Sequence, residues 1–237
     1  LLSTKGLDVT PVPKDFKAIA ERSISAETAA KYKVTVDEKS YTFPYFSRDG
    51  KQHICNKFRS RFDNSFWSKG VIREAGLYGQ QLFPPGSARA ITITEGEFDA
   101  LAASEMSGNK YPVVSIKNGA SGAVKDAQDN YEYLNSFDTI VIAFDNDDPG
   151  QEAAISLATL FPLGKVKILT FQHHKDANEY LIHGKTKEFI SEWWNAPTYT
   201  PAGLRLGRDL WEDISRPRKY DTVPYHWETL NKQTYGI

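Results

Sequence analysis

Three carboxylates, Asp145, Asp147 and Asp148, directly follow the apolar run IVIAF at residues 140–144. Like charges about 4 Å apart repel by roughly 4 kcal/mol at an effective dielectric constant near 20, so crowding them at a strand end is unfavourable. A structural turn needs only one Asp or Asn. The stretch is therefore either an acidic turn open to water or part of a cation-binding site.

Apolar, β-branched stretches alternate with helix-like stretches from residue 90 to residue 194. The predicted strands lie at residues 90–94, 111–116, 139–144 and 165–171. The predicted helices lie at residues 97–106, 122–137, 151–161 and 176–194. This alternation favours a parallel sheet with right-handed crossovers, and continuous apolar strands are typical of a sheet covered on both faces.

Acidic residues follow three of these predicted strands. Glu95 follows the first, with Asp99 one helical turn later, and Asp176 follows the fourth. Ligands of open parallel sheets collect at the carboxyl ends of the strands. Because carboxylate oxygens suit Mg²⁺ or Mn²⁺, we predict a divalent-cation site made of Glu95, Asp99, Asp145, Asp147 and Asp176.

Structural roles compete with metal binding at these positions. Glu95 could cap the first helix and complement its dipole. Asp147 and Asp148 could be turn and N-cap residues before the helix at Gln151. For Asp148 we favour this role in the turn or at the N-cap, whereas the coincidence of four acids favours metal binding at Glu95, Asp99, Asp145 and Asp147.

The upstream part of the chain is basic and aromatic. The runs at residues 40–46 and 53–62, joined through Asp49 and Gly50, predict a β-hairpin. Residues 48–74 hold seven Lys or Arg against three Asp or Glu, a local excess of four positive charges, although the 237-residue chain has a net charge of −1. Segregated charge indicates a face that binds a polyanion, with a solvated basic hairpin as the alternative.

Several classes of protein are excluded by simple counts. The sequence contains no run of 18 apolar residues, so no membrane span is predicted, and the first residues lack the pattern of a secretory signal. A single cysteine, Cys55, rules out an internal disulfide framework and a cysteine-rich zinc site within these residues. The GKT at residues 184–186 lacks the glycine of a P-loop, because Glu179 stands at that position, so we place it on a surface helix.

Longer segments resemble a known family. TEGEFDALA, YPVVSIKNGASGA, IVIAFDNDDPGQEAA and GKVKILTFQHHKDANEYL, with YTFPYFSRDG and KFRSRF upstream, resemble the primase half of bacteriophage primase–helicases. That group is related to the mitochondrial helicase Twinkle and to DnaG-type primases. The resemblance implies an α/β fold: a TOPRIM-type parallel sheet flanked by helices, with a smaller N-terminal basic α+β subdomain. We expect the basic subdomain at residues 1–87, the TOPRIM catalytic domain at 88–192, and a linker into a helicase domain at 193–237.

The resemblance also implies residue roles. Glu95, Asp145 and Asp147 would be catalytic, and all five acids would hold Mg²⁺ or Mn²⁺. Nucleotide and template contacts are assigned to Lys57, Arg59, Arg61, Lys69, Lys175 and Asn178. Phage primases of this type carry an N-terminal four-cysteine zinc domain that these residues lack, so we expect no zinc within this chain.

The function implied is metal-dependent synthesis of RNA primers on single-stranded DNA from ribonucleoside triphosphates. Implied partners are the helicase domain of the same polypeptide and a replicative DNA polymerase. We expect no membrane partner, and we expect this fragment to be monomeric. The location would be the host cytoplasm for a phage protein, or an organellar matrix for a Twinkle-type relative. Two alternatives remain: a catalytically degenerate, DNA-binding primase module of a helicase, and a TOPRIM nuclease or topoisomerase fragment.

Overall fold

A computed structural model describes residues 9, 11, 15–63, 65–204, 207–215 and 224–234. The chain divides into two compact units, Leu1–Tyr199 and Thr200–Ile237, which are described separately. The first unit contains the elements that form the candidate site. The predicted boundaries at 87/88 and 192/193 stay predictions, since the division into compact units does not test them.

An antiparallel sheet forms the N-terminal part of the first unit. Its strands are β1 (Thr35–Val36), β2 (Ser40–Phe46), β3 (His53–Ser60) and β4 (Phe66–Gly70), and they lie in that order. The predicted hairpin is the β2–β3 pair. Before the sheet comes α1 (Ala26–Tyr32), whose start is fixed by the Ser25 hydroxyl accepting a hydrogen bond from the backbone N–H of Thr28.

A parallel sheet forms the second part of the same unit. Its strands are β5 (Ala90–Thr94), β6 (Val113–Ser115), β7 (Thr139–Ala143) and β8 (Val166–Ile168), in the spatial order β6-β5-β7-β8. The helices that connect and flank them are α2 (Glu97–Met106), α3 (Ala123–Asp129), α4 (Tyr131–Asn135), α5 (Asp148–Ala158), α6 (Ala177–Ile182) and α7 (Thr186–Asn195). All pairings are parallel, so the carboxyl ends of the four strands share one edge. The predicted α/β class and parallel sheet are confirmed.

Two predicted helices are each divided in the structure. Residues 122–137 form α3 and α4, because Asn130 leaves helical geometry and its side-chain amide donates to the carbonyl of Asp126 at 2.8 Å. Residues 176–194 form α6 and α7, because Gly184 takes a left-handed conformation with φ of 67°. The expectation that residues 184–186 lie on one surface helix is therefore wrong: Gly184 and Lys185 connect two helices.

One hydrophobic core joins the two sheets. Phe43 of β2 is fully buried, and its ring packs edge-on against Phe98 of α2 at 5.2 Å and against Tyr78 at 5.7 Å. The Tyr32 hydroxyl donates to the carbonyl of Val113 in β6 at 2.9 Å. The basic hairpin is thus fixed to the sheet that carries the acids.

The second unit contains α8 (Trp211–Ser215) and α9 (Glu228–Thr234). Residues 205–206, 216–223 and 235–237 of the predicted linker lie outside the described residues. Along the part of the chain that the structure describes, no helix combines the length and apolar character needed to cross a bilayer.

Replacing Phe43 with Ala should lower the free energy of unfolding by about 3–5 kcal/mol, because it removes a buried ring that both sheets share. Phe62, which is 80% exposed, provides the matched control, and Phe62→Ala should change that free energy by less than about 0.5 kcal/mol. Urea denaturation measures both values. Equal effects of the two substitutions would contradict the shared core.

Candidate active site

A cleft of about 560 Å³ lies where the carboxyl edge of the parallel sheet faces the basic hairpin. Eight of the predicted site residues line it: Glu95, Asp99, Asp145, Asp176, Lys57, Arg59, Lys175 and Asn178. Strands distant in sequence bring the acids together, as the parallel topology predicts. The cleft therefore places a group of carboxylates opposite a group of cations.

Glu95 follows β5 and turns into the cleft. Its Oε1 accepts a hydrogen bond from the backbone N–H of Ala120 at 3.1 Å, and Oε2 is buried with no partner among the described atoms. Burial raises the pKa of this carboxyl above its ordinary value. Gly96 is the N-cap residue of α2, so Glu95 does not cap this helix.

Asp99 lies one turn further along α2. Its Oδ1 accepts from the backbone N–H of Asn178 at 3.1 Å. The pKa of Asp99 is raised well above its ordinary value by desolvation and then by the charges of Asp176 and Asp145. A Cβ at position 96 would lie 2.8 Å from Oδ2 of Asp99, so Gly96 leaves this carboxylate room.

Asp145 and Asp147 follow β7 and are bridged by one cation. The Nζ of Lys175 lies 3.4 Å from Oδ2 of Asp145 and 3.0 Å from Oδ2 of Asp147. Burial, followed by the charges of Glu95 and Asp176, nevertheless raises the pKa of Asp145 to about 6. The pKa of Asp147 is lowered, first by the N–H of Gly150 and then by Lys175.

Capping and site roles coincide at two of the acids. Oδ1 of Asp147 caps α5 by accepting from Gly150 at 2.9 Å, and Oδ1 of Asp176 caps α6 by accepting from Glu179 at 2.8 Å. Asp147 is the N-cap of α5 and Asp148 is the first residue inside the helix, so Asp148 lies at the helix start but does not take the N-cap role. Because a cap uses only one carboxylate oxygen, the second oxygen of Asp147 remains directed to Lys175.

The donor set fits a hard divalent cation. It consists of carboxylate oxygens, one of them the buried and unpartnered Oε2 of Glu95. Among the described residues, no three His, Cys, Asp or Glu side chains are already arranged to hold an ion. Mg²⁺ commonly binds through one or two carboxylates and completes its shell with water and substrate phosphates. In this structure the ammonium of Lys175 lies between the carboxylates of Asp145 and Asp147.

The predicted cations are not equivalent. Lys57 donates to Oε1 of Glu97 at 2.6 Å and to the carbonyl of Lys117 at 2.7 Å. Arg59 is half-buried, with its guanidinium 5.3 Å from the Phe66 ring and 5.4 Å from the Phe98 ring.

Two predicted cations are not among the residues that line the cleft. Arg61 pairs with Glu21 at 2.8 Å and donates to the carbonyl of Asp37, and Lys69 is exposed on β4. Their assignment to nucleotide or template stays a prediction.

Three charged residues of the cleft were not predicted from sequence: Arg22, Glu97 and Lys117. Glu97 is buried and accepts from the Tyr45 hydroxyl at 2.6 Å as well as from Lys57. Lys117 is buried and lies 3.4 Å from Asp126. The sequence signal for the Lys57 pairing is Glu97, the second acid of the EGEFD segment, because a charged residue that is buried next to a strand end needs a partner of opposite charge.

The parallel sheet and its acidic edge define a Toprim-type domain, and comparisons with known proteins agree. A family model described as Toprim-like matches residues 92–181. The DNA helicase/primase of Enterobacteria phage T3 is 35% identical over 80% of this chain, and the chloroplastic/mitochondrial Twinkle homolog of Arabidopsis thaliana is 28% identical over 100% of it. The chain spans only about a third of each of these relatives, 33% and 34%.

Solved structures extend the comparison. The primase fragment of the bacteriophage T7 primase–helicase is 34% identical, with a TM-score of 0.69 over 76% of this chain and 75% of that one. The E. coli primase catalytic core has a TM-score of 0.56 over 76% of this chain and 72% of that one, at 15% identity, and shares the fold. The chain belongs to the Toprim-fold primase-domain family of bacteriophage primase–helicases. The resemblance inferred from sequence is therefore confirmed.

Replacing Asp145 with Asn should stabilise the metal-free protein. The folded-state pKa of Asp145, about 6, lies above its ordinary value of 3.8, so the native state binds more protons than the unfolded state between those values. The charged carboxylate therefore destabilises the fold at high pH. Asp145→Asn should raise the free energy of unfolding by about 1–2 kcal/mol at pH 8.

The gain should disappear as the pH falls from 6 to 4, where the wild-type carboxyl is already protonated. Thermal or urea unfolding in the presence of a chelator measures it at each pH. The exposed Asp138 supplies the control, since replacing an exposed acid with Asn at this position should change the free energy of unfolding by less than about 0.5 kcal/mol at pH 8. An Asp145→Asn variant less stable than wild type at pH 8 would contradict the electrostatic account.

Proposed function

We propose that this chain is the catalytic core that synthesises RNA primers on a single-stranded DNA template. The observation that carries the proposal is the joining of an acidic strand edge and a basic hairpin across one cleft. Homology to primases of phage primase–helicases supports the reaction class. Nucleotide transfer needs both the acids and the cations of this cleft, because the substrates are polyanions and charge develops on the phosphate that is attacked.

The acids would divide the work of holding a divalent cation. Asp145 and Asp147 are the candidates for direct ligands, with Asp99 and Asp176 acting through water. When bound, Mg²⁺ would neutralise charge on the transferred phosphate and favour ionisation of the attacking 3′-hydroxyl. Mn²⁺ has the same preference for oxygen ligands.

Glu95 is either a further ligand or the general base that accepts the hydroxyl proton. Its raised pKa and its unpartnered Oε2 suit a group that takes up a proton. In the balanced reaction, the 3′-oxygen of one ribonucleotide forms a bond to the α-phosphorus of the next. The bond to pyrophosphate breaks, and pyrophosphate leaves with the electron pair.

The cations would position the substrates. Lys57 and Arg59 face the cleft from β3, and Lys175 faces it from the segment after β8. Lys175 would move from the aspartates to a substrate phosphate when a metal replaces it. Phe66, which lines the cleft beside Lys57 and Arg59, could stack on a base.

Within a longer protein, this core would act beside a helicase domain and with a replicative polymerase. A solved structure of T7 lagging-strand DNA polymerase with primase domains of two gp4 subunits, 34% identical to this chain, supports the second partnership. The location would be the host cytoplasm for a phage protein or an organellar matrix for a Twinkle-type protein.

The degenerate-module and nuclease alternatives make different predictions. A degenerate module would bind DNA without forming product. The presence of all five acids, four of which line the cleft, argues against this alternative. A nuclease would use the same cleft to nick DNA. Polymerisation and nicking are therefore assayed side by side.

Wild-type protein should extend a supplied dinucleotide on single-stranded DNA with labelled ribonucleotides and Mg²⁺. Asp145→Asn should reduce the rate at least about 100-fold, since several kcal/mol of charge stabilisation depend on the acidic edge. Asp138→Asn, an exposed acid outside the cleft, should leave the rate unchanged.

Absence of product from wild type despite DNA binding would support the degenerate module instead. Metal-dependent nicking of supercoiled plasmid without any polymerisation would support the nuclease.

A further inference from the structure

A second cavity, of about 330 Å³, lies between α2 and α7. We call it the α2–α7 groove, and its lining includes Met106, Lys110, Tyr111, Ile190, Trp193 and Trp194. Among the residues that the structure describes, it shares none with the cleft. The first turn of α2 lines the cleft and its last residue lines the groove, so the two sites are about 15 Å apart along a ten-residue helix.

Aromatic rings form much of this groove. The indole N–H of Trp193 donates to Oγ1 of Thr92 at 2.9 Å, which fixes that ring against β5. The Trp194 ring lies edge-on to the Trp193 ring, with centroids 4.9 Å apart, and Trp194 is 61% exposed. Tyr111 is half-exposed in the same cavity. Large aromatic side chains that stay exposed together around one cavity are typical of a binding surface.

The charges around the groove favour an anion. Lys110 is the one charged side chain that lines it along the part of the chain that the structure describes. Lys187 is exposed two turns before Trp194, on the same face of α7. The acids of α7 and the last acid of α2 are directed to other partners, in the pairs Glu188 with Lys185, Glu192 with Tyr180 and Glu105 with Ser25.

We propose that the α2–α7 groove binds one nucleotide of a DNA single strand. The base would stack on Trp194 and Tyr111, and its phosphate would pair with Lys110. Stacking on an aromatic ring is available to every base, so such a site does not depend on sequence. The inference rests on the proposed function for the choice of single-stranded DNA, but it does not use the cleft.

The size and charge of the groove select this occupant. Its volume is at the lower end of the range for ligand sites, about 300–1,000 Å³, and suits a single ring system. One lining cation matches the single phosphate that each nucleotide of a strand carries. A free triphosphate carries several negative charges and would need more cations than Lys110 supplies.

A strand held in both the cleft and the groove would gain affinity from the second contact. Binding at the second site becomes intramolecular once the first is occupied, provided that the strand can span the distance between them. The contribution of the groove should therefore grow with strand length. This length dependence separates the proposal from a single binding site in the cleft.

Anisotropy of labelled oligo-dT, at lengths from about 4 to about 16 nucleotides and at several salt concentrations, tests the inference. The variants are Trp194→Ala, Trp194→Phe and Lys110→Ala. Trp227→Ala is the matched control, because Trp227 is 68% exposed and is not among the residues that line the groove. Lys125→Ala is the charge-matched control, since Lys125 is exposed on α3 and is also absent from the lining.

Trp194→Ala should raise Kd for the longest strand about 5–150-fold, the range expected for losing one stacked base. The effect should shrink as the strand is shortened. Trp194→Phe should recover part of the loss, because it keeps an aromatic face. Lys110→Ala should lower the salt slope for the longest strand by about one. Both control variants should match wild type.

An unchanged Kd at every length in Trp194→Ala and Lys110→Ala would overturn the inference. An equal loss at every length with a lower Tm would also overturn it, since this indicates a structural role for Trp194. A raised KM for ATP with an unchanged Kd for oligo-dT would show that the groove takes a free nucleotide, against the proposal.

Dinucleotide extension on the same strands separates this inference from the proposed function. A wild type that makes no product, but whose affinity for long strands depends on Trp194, would contradict the proposed function and support the groove. A wild type that makes product, with groove variants that bind every strand as wild type does, would support the function and overturn the groove.

Discussion

Repulsion among carboxylates at one sheet edge is the constraint on which this structure depends. The parallel order of β5, β7 and β8 leaves the chain no means of separating the acids that follow these strands. Burial makes the repulsion stronger, as the raised pKa values of Glu95, Asp99 and Asp145 indicate. Lys175 relieves part of it at the aspartates after β7. Such an arrangement lowers stability unless a cation is bound, which is characteristic of a site selected for chemistry.

The N-terminal sheet supplies the opposite charge at a fixed place. Packing of Phe43 against Phe98 and the ion pair of Lys57 with Glu97 connect this sheet to α2, the helix that carries Asp99. The net charge of −1 therefore conceals a local separation of charge, in which Lys57 and Arg59 of β3 lie across the cleft from the acids of the parallel sheet. Because the ammonium of Lys57 is already paired with Glu97, Lys57 fixes β3 to α2 as well as adding positive charge to the cleft.

The sequence predicts the repeating units of this fold well, because β-branched strands and helix-length spacers have distinct periodicities. It also predicts the acids, since strand ends of a parallel sheet must meet. It does not predict the helix breaks at Asn130 and Gly184, where a single side chain or a single φ angle ends one helix before the next begins. Contacts such as Arg22 with Asn178, 156 residues apart, depend on how elements pack and leave no local pattern. Capping and metal binding also cannot be separated from sequence, because one carboxylate such as that of Asp147 can serve both.

The central claim is that the acidic edge binds a divalent cation, and titration of Mn²⁺ followed by its electron paramagnetic resonance signal tests it most directly. At pH 7.5, with a non-hydrolysable ATP analogue present, wild-type protein should deplete the free-ion signal beyond what the nucleotide alone binds. A variant combining Asp145→Asn with Asp147→Asn should lose that additional binding, because it removes both candidate direct ligands. Equal Mn²⁺ binding by the two proteins, or none by either, would contradict the account.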